Sequence, residues 1–333
     1  MTLELLRPRS LEVACKLLAE KEGARPLAGG TDILSSQERG TPLPPVLVCL
    51  DGLGLAGMQE EPAGGLRLGP FVTHAKVASS PYLRSIYPVL TDACASVGSP
   101  QVRNLGSLGG NLCNASPAAD AACALLALGA SLEITGIGGK KVLPVEEFFL
   151  APGRTVLGRG EIVSGIILPN PAPSSAYRKL GRRKALEIAV VGVAVALEIE
   201  GKVVKECRVC LAAVAPTPLR ARQAEASLRG CILTPEGVEQ AARIAADECL
   251  PLDDHRASAA YRREMVKVLF RRAVLAAAGR KQEGPLPSLA SALKGGIKKP
   301  SRARGSLLPA RITLRVNGES HSLTVPPEKL LVD

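Results

Sequence analysis

Apolar positions along the chain follow two periods, and the way they alternate predicts an α+β protein in two parts. Leu11, Ala14, Cys15 and Leu18 share one helical face, with Ser10 as the N-cap and Gly23 as the stop. Pro26-Leu27-Ala28, Pro45 to Leu50 and Leu66 to Pro70 are apolar runs of strand length. Thr73 predicts the cap of a short helix, and Leu90, Ala93, Cys94 and Val97 mark a longer one. Ser116, with Pro117 at the first helical position, predicts a helix that Gly129 ends. Leu132 to Thr135 and Ile162 to Leu168 read as strands.

The stretch Asn170-Pro171-Ala172-Pro173-Ser174-Ser175 predicts a boundary, and the pattern changes beyond it. Ile188 to Ile199 and Val203 to Ala215 are long β-rich runs joined by Glu200-Gly201-Lys202, a hairpin signal. Helices are expected over Leu219 to Leu228, Pro235 to Glu248 and Ser258 to Ala278, so strands followed by helices make a second α+β unit. Residues 280–310 are rich in Pro, Gly, Ser and Lys and read as a basic linker. After them, Ile312 to Val316 and Ser320 to Val325 alternate around Asn317-Gly318, the strongest short hairpin signal. The expected organisation is residues 1–170, 174–279, the linker 280–310 and a hairpin over 311–333.

Composition narrows the classes. With 46% hydrophobic and 22% charged residues among 333, the chain can bury an ordinary core, built from aliphatic side chains because aromatics are only 2%. No run approaches the ~20 apolar residues of a membrane span, and the N-terminus has no signal-peptide pattern, so a cytoplasmic protein is expected. Nine scattered cysteines, an odd number, predict reduced thiols rather than a disulfide framework. Cys207 and Cys210 stand three apart on an expected strand, so their sulfurs face opposite sides, and no second such pair completes a zinc site. The net charge of +11 comes from Arg262 to Arg311, where thirteen Lys and Arg face two acids. Only Phe270 is aromatic there, which argues against nucleic acid and for a solvated basic face, or one meeting an acidic partner.

Two glycine-rich segments carry the candidate chemistry. The first is Leu27-Ala28-Gly29-Gly30-Thr31-Asp32-Ile33; the second runs from Asn104 through Gly106-Ser107-Leu108-Gly109-Gly110-Asn111 to Asn114 and on to Asp120. A pyrophosphate needs several convergent donors, and backbone N–H groups supply them best where no Cβ blocks approach. Thr31, Ser107, Asn111 and Asn114 add short neutral donors. Neither segment is a P-loop, and neither gives the dinucleotide fingerprint after a strand. Read alone, Asp120 is equally an acid favoured in the first turn of a helix.

Together the two segments resemble the FAD pyrophosphate loops of the xanthine dehydrogenase and carbon monoxide dehydrogenase family of molybdenum hydroxylases. The matching residues are Ala28 to Ile33, Ser107 to Asn111 and Ala115-Ser116-Pro117 with Asp120, preceded by Gln101-Val102-Arg103-Asn104. The resemblance implies a two-subdomain FAD-binding domain of para-cresol methylhydroxylase type, followed by an α+β flavoprotein C-terminal domain with an antiparallel sheet and helices. It implies that Gly29 to Asp32 and Ser107 to Asn111 contact the pyrophosphate and that Asp120 serves the ribose or adenosine side. Glu161-Ile162-Val163 is similar to a family strand near the adenine, which places Val163 in the site. Tyr177 to Arg183 with Ile188-Ala189 resembles a segment bearing a flavin-contacting lysine; of Arg178 and Lys179, Lys179 is the expected one. Val97 stands where some members place an aromatic near the flavin. The hairpin resembles the truncated start of a 2Fe-2S ferredoxin-like domain.

In that family FAD lies on this chain, while the molybdenum cofactor and 2Fe-2S clusters lie on partner chains or on a further domain. The implied partners are a large molybdopterin-binding subunit and an iron–sulfur subunit, in a hetero-oligomer. The implied reaction takes electrons from 2Fe-2S clusters into FAD and returns them as hydride to NAD or another acceptor. The cofactor supplies that chemistry, so no catalytic side-chain set and no metal ligands are expected here. Two other readings stay open: a stand-alone flavin oxidoreductase of the same fold, and a scaffold subunit without flavin.

Overall fold

The computed structural model describes residues 3–279, apart from 39, 63, 184 and 185, and the two strands at 310–316 and 319–325. Its first region contains β1 (Glu4–Leu6), α1 (Leu11–Glu20), β2 (Ala24–Leu27), α2 (Ile33–Glu38), β3 (Val46–Cys49), β4 (Met58–Glu60) and β5 (Leu66–Leu68). Six helices come next: α3 (His74–Ala78), α4 (Pro81–Ile86), α5 (Pro88–Ala95), α6 (Pro100–Leu105), α7 (Leu108–Cys113) and α8 (Asp120–Leu128). Then come β6 (Ser131–Gly136), β7 (Gly139–Pro144), the small hairpin β8 (Phe149–Ala151) and β9 (Arg154–Thr155), and β10 (Ile162–Leu168).

These strands form two sheets. A parallel one is ordered β1-β3-β2 and an antiparallel one β4-β5-β10-β6-β7. The caps read in the sequence are present: Ser10 Oγ accepts from Val13 N and Thr73 Oγ1 from Lys76 N, each at 3.3 Å. α1 then buries Ala14, Cys15 and Leu18 against Val48, Leu50 and Ile162, joining the two sheets. Gly165 lies beside a bulge in β10, and a Cβ there would stand 2.1 Å from Arg67 Nη1, so glycine leaves room for the Arg67–Glu133 ion pair at 2.8 Å.

The second region is one antiparallel sheet with helices. Its strands are β11 (Ser175–Leu180), β12 (Val191–Glu200), β13 (Val203–Ala212) and β14 (Leu219–Arg220), paired in that order. Its helices α9 (Arg222–Leu228), α10 (Pro235–Asp247) and α11 (Ala259–Gly279) cover one face, packing on Val191, Val193, Val195, Cys207, Val209 and Leu211. The opposite face of β12 carries Gly192, Ala194 and Ala196, small enough for α8, all nine of whose residues are buried, to lie directly on it. Cys207 therefore sits in the helical core, while Cys210 faces the other way and its carbonyl accepts from Cys123 Sγ of α8.

Three expected boundaries move. Ser116 does not cap α8; it closes a local turn, its Oγ accepting from Ala118 N and its carbonyl from Ala119 N, so the helix begins at Asp120. The strand expected from Ile188 starts at Val191, and the helix expected from Leu219 starts at Arg222 because Leu219–Arg220 pairs with β13. No helix among the described residues is long and apolar enough to cross a membrane. The hairpin strands β15 (Ala310–Val316) and β16 (Glu319–Val325) pair antiparallel, in a unit separate from residues 1–287. Its Asn317-Gly318 turn and most of the linker expected over 280–310 lie outside the described residues.

Candidate functional site

The two glycine segments meet. Gly29 presses so closely on the end of α6 that a Cβ there would stand 2.0 Å from the Leu105 carbonyl oxygen. Asn114 Nδ2 of the second segment donates to Asp32 Oδ1 of the first at 3.2 Å. A Cβ on Gly106 would come within 3.7 Å of Thr31 Oγ1, and one on Gly110 within 4.0 Å of Ala28 Cβ. Backbones far apart in sequence are thus in direct contact, and at Gly29 only glycine allows it.

The segments contribute differently. The amides of Gly29, Gly30 and Thr31 donate to no group among the described residues, and Gly30 takes a left-handed φ of +71°. Consecutive unspent amides of this kind form an anion-binding concavity. The second segment is not a loop throughout: α6 and α7 occupy it, capped by Ser99 and Ser107. Apart from the Ser107 N–H, its amides are spent internally. Leu108 N–H donates to Val72 O, Gly109 to Pro70 O, Gly110 to Ser107 Oγ and Asn111 to Ser107 O. Gly109 is needed for packing, since a Cβ would stand 2.5 Å from Pro70 Cβ. This segment also leaves open the Asn111 side chain, whose Oδ1 is buried with no partner. An orphaned buried acceptor costs about 1–3 kcal/mol, and a ligand hydroxyl or N–H satisfies it. Open amides in one segment, an unpaired polar group in the other and glycine at their closest approach fit the diphosphate and sugar portions of FAD.

His74 supports the second segment from beneath. Its N–H donates to the Gly106 carbonyl at 3.0 Å and its Nδ1 lies 3.5 Å from Cys94 Sγ. Burial, helped by the Arg103 charge, pushes its pKa from 6.5 down to about 4. Between those values the unfolded chain binds a proton that the folded chain does not, so stability falls as pH drops from 6.5 toward 4, by about 3 kcal/mol in total. Urea unfolding at pH 7 and pH 4.5 is expected to show this loss in the wild type and a reduced loss in His74→Phe; equal slopes would refute it.

Asp120 and Lys179 form a second group. Asp120 is 5% exposed at the start of α8, where its Oδ1 accepts from the Tyr177 hydroxyl and its Oδ2 from Lys179 Nζ at 2.8 Å. Burial raises its carboxyl pKa, against the pull of Lys179 and Tyr177. Alternation along β11 explains the partnership: Tyr177 and Lys179 point toward α5 and α8, Ala176 and Leu180 toward the helical core, and Arg178 reaches the more exposed Asp92 at 3.7 Å. Val97 lies just past α5, its carbonyl held by Arg103 Nη1 at 2.8 Å. Val163 is buried in β10 opposite Ile134; its neighbour Ser164 lines a cavity of about 210 Å³ with Arg67, Gln59 and Leu55. The sequence pattern does not point to Tyr177 or His74 as members of the site, and it places Leu105 in the second segment without a role. Alternation from Lys179 reaches Tyr177, whereas the other two depend on tertiary contact.

Both regions of the chain are similar to known proteins. Residues 1–171 match the family described as the FAD binding domain in molybdopterin dehydrogenase, and residues 175–277 the CO dehydrogenase flavoprotein C-terminal domain. The carbon monoxide dehydrogenase medium chain of Afipia carboxidovorans is 32% identical, over 80% of this chain and 94% of its own length. The putative xanthine dehydrogenase FAD-binding subunit of Escherichia coli is 30% identical, over 83% of this chain and 97% of its own. Among solved structures, carbon monoxide dehydrogenase from Hydrogenophaga pseudoflava superposes with a TM-score of 0.80 at 32% identity, covering 84% of this chain and 98% of that one. Quinoline 2-oxidoreductase from Pseudomonas putida 86 gives 0.79 at 28% identity, over 84% and 98%.

Proposed function

Because the chain belongs to the FAD-binding subunits of the molybdopterin-dependent dehydrogenases, we propose that it carries the flavin step of an electron chain running from 2Fe-2S clusters through FAD to NAD or another acceptor. The chain is an oxidoreductase subunit of the xanthine and carbon monoxide dehydrogenase type. The observation that carries the proposal is the convergence of Gly29, Gly30 and Thr31, with unspent amides, on the Ser107–Asn114 segment. FAD supplies the redox chemistry when bound; the chain's residues bind and orient it.

In this reading the Gly29 to Thr31 amides and the Ser107 N–H hold the diphosphate, with Leu27, Ala28, Asp32 and Ile33 shaping the first wall. Gly106, Leu108, Gly109 and Gly110 shape the second, and Asn111 and Asn114 add side-chain contacts. Asp120 acts on the ribose or adenosine side, Val163 lies by the adenine, and Val97 and Lys179 lie by the flavin ring. The domain limits 1–170 and 174–279 belong to the same proposal, and the hairpin from 311 is taken as opening strands of a ferredoxin-like domain. A large molybdopterin-binding subunit and an iron–sulfur subunit or domain complete the hetero-oligomer. Nine free cysteines suit a reducing compartment, and we place the complex in the cytoplasm.

The purified chain is expected to take up one FAD per chain on reconstitution; absent flavin absorbance would overturn the reading. In the assembled complex, substrate-reduced flavin is expected to be reoxidised on adding NAD⁺. Reoxidation only by other acceptors would remove NAD while leaving the flavin step intact.

A further inference from the structure

The Lys179 ammonium has three hydrogens and three acceptors: Asp120 Oδ2 at 2.8 Å, the Glu187 carbonyl at 2.9 Å and the Ser96 carbonyl at 3.0 Å. No donor is left for a ligand. The acceptors come from three stretches far apart in sequence: the start of α8, the end of α5 and the segment before β12. Two of them lie next to strained or exposed backbone. Ser96 precedes Val97 and Gly98, and the Gly98 carbonyl accepts from Leu186 N at 3.1 Å. Leu186 has φ of +52°, a conformation that its surroundings must hold for a side chain of this kind. Those surroundings include Arg183, which donates to the Leu186 carbonyl, and Lys179, which holds the next one.

The carboxylate that orients Lys179 is itself oriented. Tyr177 donates to the other oxygen of Asp120, and the hydroxyl finds room only because residue 192 is glycine: a Cβ there would stand 2.3 Å from it. Lys179 is 11% exposed, so little water competes for its hydrogens.

We propose that Lys179 is a positioning residue, a three-way clamp oriented by Asp120 and Tyr177 that fixes the Ser96–Gly98 and Leu186–Glu187 backbones beside the flavin, and that it acts through them rather than by touching the flavin. The inference rests on the FAD-binding reading above and alters the role expected of Lys179 within it. All four groups of the clamp belong to this chain, so the test can begin in the FAD-free protein.

Three preparations test it: the wild type, Lys179→Met and Lys179→Met/Asp120→Asn. The double variant leaves no unpaired buried charge, which keeps the test valid if the single variant folds poorly. In the FAD-free double variant, amide hydrogen exchange over residues 95–98 and 186–190 is expected to quicken by about tenfold or more while the core of β12 and β13 stays protected. Its FAD dissociation constant is expected to rise by about tenfold, with a changed visible circular dichroism of the bound flavin. Unchanged exchange in those segments would overturn the clamp even if FAD binding weakened, since that pattern belongs to direct contact. Faster exchange with wild-type affinity and dichroism would also overturn it, because the clamp would then not serve the flavin. Failure of the wild type to bind FAD would instead defeat the flavoprotein reading, and the proposal with it.

Discussion

Replacing Gly29 with alanine is expected to weaken FAD binding by about 100-fold or more, equivalent to ~2.7 kcal/mol. The added Cβ would lie 2.0 Å from the Leu105 carbonyl oxygen and 2.6 Å from its carbon, and both are backbone atoms that cannot rotate away. Relief requires the first segment to withdraw from the end of α6. That separates the Gly29, Gly30 and Thr31 amides from the Asn111 and Asn114 side chains opposite them. Gly30→Ala is the informative companion. The nearest atoms to its Cβ would be Leu34 Cδ1, at 3.5 Å, and Leu27 Cδ1, at 3.6 Å, both ordinary contacts, so the penalty there is the left-handed φ, about 1–2 kcal/mol. Fluorescence titration of FAD should rank the variants wild type, Gly30→Ala, Gly29→Ala in decreasing affinity. Wild-type affinity in Gly29→Ala would show that the close approach of the segments has no part in binding.

That approach marks the limit of what the sequence shows. The residue types in each segment are legible, because a diphosphate demands small residues and short donors, and the α+β division is legible because the apolar period changes near residue 170. Caps are legible where one residue decides the matter, as at Ser10 and Thr73. Ser116 shows why a cap can mislead: the same hydroxyl can close a two-residue turn instead, and the backbone path of Pro117 to Ala119 decides which. α7 is hidden by Gly109 and Gly110, and α6 by the glycines that flank it at 98 and 106, all of which signal a loop, although Ser99-Pro100 and Ser107 are helix-start signals. The division of labour between the segments cannot be read locally at all. Whether an amide is free depends on Pro70 and Val72, more than 30 residues upstream, which take the Gly109 and Leu108 hydrogens. Likewise the alternation of β11 decides between Arg178 and Lys179 only once β11 is known to be a strand between two covered faces.

Removing the Glu225 carboxylate is expected to destabilise the chain by about 3 kcal/mol without altering FAD affinity where the protein is still folded. Glu225 is 3% exposed at the start of α9, where it accepts from two of the three Arg220 nitrogens, Nε at 2.9 Å and Nη2 at 2.5 Å, and from the Val209 N–H at 2.8 Å. Alanine would strand three donors at once, two of them on a guanidinium with only 14% side-chain exposure. Glu146 Oε2, 3.6 Å from Arg220, offers partial compensation, which keeps the expected loss at the lower end of the range for a broken buried pair. The paired replacement Arg220→Met/Glu225→Leu removes both charges and should recover most of the loss, because desolvating an ion pair offsets much of its attraction. Denaturant unfolding measures the stabilities and flavin fluorescence the affinities. A fall in FAD affinity matching the fall in stability would mean that the sheet's helical face and the flavin site form one energetic unit. Separate responses would locate the site's energetics in the two glycine segments and the residues that brace them.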